Sequence, residues 1–167
     1  MKKKPALGVV IRRTAPVKLY PFRRFFRGFE RLACVRAVFG RRTDKILRGL
    51  QVEFNSFRWG YMGVNPDDGH LCVSTPYLRN GDLRHVYLDV VHELVHVRQH
   101  GEGQELFDEE FAYVDRPTEL EAYAVAVAEA RRIGLTEREL FDYLKTEWMS
   151  DAEHRRLAGK VGVRPPR

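Results

Sequence analysis

Phe22, Phe25, Phe26, Phe29 and Ala33 recur at helical spacing, with Arg23, Arg24, Arg27 and Arg31 on the opposite side. This pattern predicts an amphipathic N-terminal helix that stops at Gly40. Leu50, Val52 and Phe54 then alternate with Gln51, Glu53 and Asn55, the period of a half-buried strand. Asn65-Pro66-Asp67-Asp68-Gly69 reads as a turn, and His70 to Thr75 as a second strand ending before Pro76. Leu88, Val90, Val91, Leu94, Val95 and Val97 crowd the next segment, as in a helix buried inside a domain. Gly101 is placed to close that helix as a left-handed cap. Another helix opens near Arg116-Pro117, because proline suits a first turn. Its alanine-rich run from Ala122 to Ala130 allows close packing on a neighbour. Thr136 with Glu139, and Ser150 with Glu153, form capping boxes that open two C-terminal helices. The expected class is α+β, with no repeats and no internal boundary. Residues 1–20 form a basic arm, residues 21–160 one domain, and the Pro- and Arg-rich residues 161–167 a frayed tail.

Composition narrows the setting. With 167 residues and 44% hydrophobic content, the chain can bury a full core. Ala6 to Ile11 is too short for a signal-peptide core, and no segment is long enough to span a membrane. Cys34 and Cys72 are isolated thiols that define no disulfide framework, so a cytoplasmic protein is expected. Charge is segregated: residues 1–48 carry a net +13 and residues 49–167 a net −7, within an overall +6. The basic N-terminal region is a candidate contact for nucleic acid or an acidic lipid surface. It reads equally as the solvated arginine face of a core helix.

His92-Glu93-Leu94-Val95-His96 carries the chemistry. Residues four apart share one helical face, so His92 and His96 can hold one metal ion. Glu93, rotated about 100° from His92, is poorly placed as a ligand but well placed to act on a water at that metal. His100 lies about 12 Å along the helix from His92, out of reach of the same ion, and is read as a cap or a supporting residue. A tetrahedral zinc site needs a third protein ligand. Gln99 and Glu102 stand where metzincins have glycine and a third histidine, and the only later histidine, His154, lies in a polar C-terminal segment. Two glutamates of the Pro117 helix remain. Thr118 and Glu121 form a potential capping box, which gives Glu121 a structural task, whereas Glu119 has none and is favoured. Asp89 or Asp115 could brace a metal-bound histidine. Tyr123 is placed for packing or for hydrogen bonding to an oxyanion.

On these residues the chain resembles the minimal gluzincin-type zinc metallopeptidases and the SprT-like and ImmA/IrrE-like small zincin domains. The resemblance runs through Phe57-Arg58-Trp59-Gly60, Gly69-His70-Leu71-Cys72-Val73-Ser74, the His92–His96 motif and Pro117-Thr118-Glu119-Leu120-Glu121-Ala122. It implies a zincin fold: N-terminal helix, short twisted antiparallel sheet, motif helix, Glu-bearing helix and C-terminal helices. The cleft edge would be the strand around Val73–Thr75, able to hold extended peptide. It also implies zinc held by His92, His96 and Glu119, with Glu93 as general base, acting on a peptide or protein substrate.

Two other readings remain open. Gly69 to Ser74 resembles the metal-binding cysteine run of peptide deformylases, which would make Cys72 a ligand of an amidohydrolase site. A nucleic-acid-associated or regulatory zincin-like module with a vestigial or self-inhibited site is the third, the basic arm or the Arg164–Arg167 tail being the segments that could fill the cleft.

Overall fold

Hydrophobic alternation places the strands and proline, glycine and capping side chains set the helix ends in the computed structural model, which describes residues 6–57 and 60–166. Strand β1 (Val10–Ile11) is followed by β2 (Leu19–Pro21), helix α1 (Phe22–Phe25) and β3 (Phe26–Arg27). Then come α2 (Ala33–Phe39), α3 (Thr43–Gly49), β4 (Gln51–Asn55), β5 (Met62–Val64) and β6 (Leu71–Ser74). Helices α4 (Thr75–Asn80), α5 (Leu83–Gly101), α6 (Pro117–Arg132), α7 (Glu137–Leu144) and α8 (Asp151–Lys160) complete the chain. The class is α+β. Among the described residues, no helix is long and apolar enough to cross a membrane.

The single N-terminal helix is not formed. The helix stops after one turn at Phe25: Phe26 and Arg27 are extended as β3, and Gly28 then adopts φ +93°, which keeps a continuous helix from forming. Phe22, Phe25, Phe26 and Phe29 are nevertheless all buried, stacked on one another and on Phe54 of β4. Helical spacing thus marked the buried residues but not the backbone that buries them. Arg24, Arg27 and Arg31 remain exposed, while Arg23 pairs with Asp44 at 3.0 Å. The basic arm is built into the fold from Val10 onward. Strand β1 pairs with β3, β2 pairs with β4, and the Arg13 guanidinium donates to the carbonyls of Leu78, Arg79 and Gly81. The tail is docked as far as Arg164: Val163 is buried, and the Arg164 N–H donates to Glu137.

The main sheet has the order β2-β4-β6-β5 and is mixed rather than antiparallel. β5 and β6 form an antiparallel hairpin around the 65–69 turn, and β6 inserts beside β4 in parallel. Consequently β6 is interior, and the sheet edge is β5 rather than Val73–Thr75. Arg58 and Trp59 of the Arg-Trp-Gly run lie outside the described residues.

Inside the sheet, Leu71 and Val73 face the core while Cys72 faces the other way. Ser74 caps α4, whose first turn holds Pro76. Asp82 caps α5 by accepting from the Arg84 and His85 N–H groups. Helix α5 extends through Gly101, and Gly103, at φ +77°, supplies the left-handed conformation expected of Gly101. Both C-terminal capping boxes form as expected, at α7 and α8. His154 is a structural residue, bonded to the Phe141 carbonyl and packed on the Phe141 ring.

The 65–69 turn is locked to the end of α5. His100 Nε2 lies 2.9 Å from the Pro66 carbonyl, and its ring covers Gly69. Gly69 has φ +78°, and a Cβ there would lie 2.6 Å from His100 Nδ1. Gly69→Ala should therefore cost about 1–3 kcal/mol from backbone strain plus displacement of the ring. Urea denaturation checks this; a midpoint equal to wild type would show that the turn does not need glycine.

Candidate metal centre

Helix α5 brings His92, Glu93 and His96 to one buried face, and α6 brings Glu119 in its first turn. The close approach depends on Ala122, Ala126 and Ala130, all fully buried along α6. His92 Nε2 and His96 Nε2 lie 3.0 Å apart, and Glu119 Oε2 lies 3.2 Å and 3.4 Å from them. In a tetrahedral zinc site with bonds of about 2.0–2.1 Å, neighbouring ligand atoms sit ~3.3 Å apart. The three residues are buried, and together they could hold a metal ion.

The unsatisfied atoms around this group point the same way. Glu93 Oε2 and His92 Nδ1 are buried without a hydrogen-bond partner, and Glu119 Oε2 has only the two imidazole Nε2 atoms beside it. Buried polar atoms are normally paired, so a carboxylate oxygen enclosed against two imidazole nitrogens marks a place that a cation could complete. Two imidazole nitrogens facing a carboxylate suit a borderline cation such as zinc, although the donor set alone does not select the metal.

The two glutamates face different surroundings, and Glu121 does not have the capping task that its spacing from Thr118 suggests. No capping box forms: Thr118 Oγ1 has no partner, and α6 begins without a side-chain cap. Glu121 instead points outward, accepting from Arg98 at 2.5 Å and Gln99 at 2.7 Å. Neither aspartate braces a histidine. Asp89 accepts from the Tyr77 and Tyr143 hydroxyls, and Asp115 pairs at the surface with Arg156 and Lys160.

The brace is Gln99, which sequence reasoning noticed only as a departure from the metzincin pattern. Its Oε1 accepts from His96 Nδ1 at 2.7 Å, leaving Nε2 directed at the site, while its Nε2 donates to the Thr118 carbonyl at 3.0 Å. Gln99 thereby orients one histidine and also fixes the backbone beside Glu119. Its position three residues after His96, on the same helical face, was the available signal.

Ionisation is set by burial and by mutual proximity. Burial raises the Glu93 carboxyl above the usual range against the opposing pull of the two histidines. Burial works against ionised Glu119 too, but the neighbouring imidazoles hold its carboxyl well below the usual range. His96, which burial alone would push down, is raised to about 9 by the Glu119 and Glu93 carboxylates.

The cleft beside the group is walled by Met62, Gly63 and Val64 of β5, with Phe107, Tyr113 and Trp148 opposite. It continues into a recess of about 250 Å³ lined by Tyr61, Tyr77, Tyr123 and Tyr143. The Tyr123 ring packs 4.3 Å from that of His92, and its hydroxyl meets that of Tyr113 at 2.9 Å. Among the described residues, neither the N-terminal arm nor the C-terminal tail lines this cleft. Cys72 stands on the outer face of the sheet with Glu53 and His70, apart from the His92–His96–Glu119 group.

Comparison with protein-family models, curated proteins and solved structures found no match. The site is therefore judged on its own geometry.

Two outcomes follow. Gln99→Leu should weaken metal binding about 10–100-fold by releasing His96 and the Thr118 carbonyl, as read by chelator competition; unchanged affinity would remove Gln99 from the site. In the metal-free chain, His96 holds its proton more tightly folded than unfolded. Its contribution to stability is complete below pH 6.5 and is lost as pH rises through about 9. The Glu119 contribution runs the other way, present above pH 4.5 and lost as pH falls. The pair thus favours the metal-free fold most between pH 4.5 and 6.5. Because metal must displace the His96 proton, affinity should rise from pH 6.5 to 9; a flat titration over that range would contradict this assignment.

Proposed function

We propose that this chain is a zinc-dependent metallopeptidase of the gluzincin type. The observation that carries the reading is the buried convergence of His92, His96 and Glu119 beside the unpartnered Glu93 carboxylate, at the floor of a cleft. A divalent cation held by the three ligands would supply Lewis acidity, lowering the pKa of a water and polarising the scissile carbonyl.

The remaining work falls to the chain's own groups. Glu93 takes the proton of the attacking water and returns it to the leaving amine; a carboxyl with a raised pKa suits both transfers. The Tyr113–Tyr123 hydroxyl pair borders the same space and offers a donor for the charge that develops on the carbonyl oxygen. The edge of β5 presents backbone groups to which an extended peptide can add as a further strand. Exposed Phe107 and Trp148 flank the cleft with apolar surface. A cleft this narrow favours unfolded segments over the surfaces of folded proteins.

The test measures hydrolysis of an unfolded protein substrate together with metal content. Glu93→Gln should keep its metal and lose activity about 10²–10⁴-fold, the usual contribution of general acid–base catalysis. Glu119→Ala should lose the metal, and Glu121→Ala should keep it. Zinc-loaded wild type that cleaves no peptide bond would sink the peptidase reading; metal retained by Glu119→Ala would sink the ligand set.

A further inference from the structure

A second group of metal-binding side chains lies on the opposite face of the sheet. Strand register sets Leu19, Glu53, Cys72 and Gly63 in one row across β2, β4, β6 and β5. His70 precedes Cys72 by two residues and so projects from the same side. Its Nε2 lies 3.0 Å from Glu53 Oε2 and 3.5 Å from Cys72 Sγ. With zinc–nitrogen bonds of about 2.0–2.1 Å and zinc–sulfur bonds of about 2.3 Å, a tetrahedral site separates nitrogen and sulfur by ~3.5 Å.

Two further observations point to a ligand. Asp68 Oδ1 sits 2.5 Å from His70 Nδ1, so this carboxylate accepts a hydrogen bond from Nδ1–H and leaves the Nε2 lone pair toward Glu53 and Cys72. Metal-bound histidines are characteristically braced in this way. The space above Cys72 is also open. Its neighbour in the row is Gly63, where an added Cβ would meet nothing within 4 Å, and a shallow recess runs past Cys72 to Asn55 and Ser74.

We propose that Glu53, His70 and Cys72 form a second cation site, for a borderline-soft divalent ion of the zinc class, with Asp68 orienting His70. The thiolate distinguishes it from the His-His-Glu group and from the oxygen-only sites that hold magnesium or calcium. Three protein ligands leave the fourth position to solvent. An ion here ties β4 to β6 and, through Asp68, holds the 65–69 turn. That turn touches the end of α5 through His100, and the hairpin it closes carries the β5 wall of the cleft. The role is that of a clamp behind the cleft wall, separate from the hydrolytic chemistry.

Cobalt(II) tests the site on the intact chain, because only a thiolate ligand gives an intense near-ultraviolet sulfur-to-cobalt absorption. Wild type and Cys34→Ser should both show it, Cys72→Ser should lose it, and His92→Ala/His96→Ala should retain it. Zinc content should fall by one equivalent in Cys72→Ser. In unmutated protein, zinc should slow alkylation of Cys72 at least tenfold and leave Cys34 unaffected. Absence of the thiolate band in folded wild type would overturn the proposal and leave His70 as a hydrogen-bonded bridge between two carboxylates; so would a band lost in Cys34→Ser instead. Since the His92–His96–Glu119 group contains no sulfur, failure of either site is read independently of the other.

Discussion

The contact of α5 with α6 is the constraint on which this molecule turns. Fully buried alanines on α6 let the two helices approach closely, and polar groups are enclosed where they meet. Gln99 makes that enclosure tolerable. It satisfies His96 on its own helix and the Thr118 carbonyl on the next, so one amide fixes both a ligand and the backbone that presents Glu119. Glu121 and Arg98 extend the same network to the surface, where their pairing is solvent-screened and contributes little to stability. The interior part matters more, because an unpaired buried polar group costs about 1–3 kcal/mol.

At the candidate metal centre, folding leaves polar atoms unsatisfied. Glu93 Oε2 and His92 Nδ1 are desolvated without partners, and Glu119 is enclosed against the two imidazoles. Without a cation, the His96 proton facing Glu119 offsets part of that cost; a cation held there would replace the proton and bind His92, His96 and Glu119 together. Replacing these residues with apolar ones would be expected to leave the fold intact or firmer, as is common for buried charged groups. Their presence is better explained by chemistry than by stability.

The sheet separates two environments. Leu71 and Val73 face the buried core, while Glu53, His70 and Cys72 face the other side. The 65–69 turn joins the two sides through His100, whose place two turns beyond His92 removes it from the first site and gives it a structural role. The arginines that segregate to the N-terminal third divide in the same way. Arg13 and Arg23 bind other parts of the fold, whereas Arg24, Arg27 and Arg31 are exposed.

Local chemistry was legible from sequence wherever it depends on neighbours along one element. The i, i+4 histidines, the α7 and α8 capping boxes, the β4 alternation and the start of α6 at Pro117 all follow from spacing, because a helix or strand converts sequence distance into a shared face. Features that depend on two elements meeting were not legible. The phenylalanine spacing did not reveal that the helix stops at Phe25, since burial of those rings is satisfied by either backbone. The mixed sheet and its β5 edge depend on how the hairpin inserts beside β4. Glu119 could be preferred to Glu121 by sequence, but the partners that decide between them, His92 and His96 for one and Arg98 and Gln99 for the other, lie more than twenty residues away. Gln99 itself looks unremarkable until α6 is laid against it. Sequence determines which side chains share a face; only packing between faces determines which of them are enclosed together, and enclosure is what makes them a site.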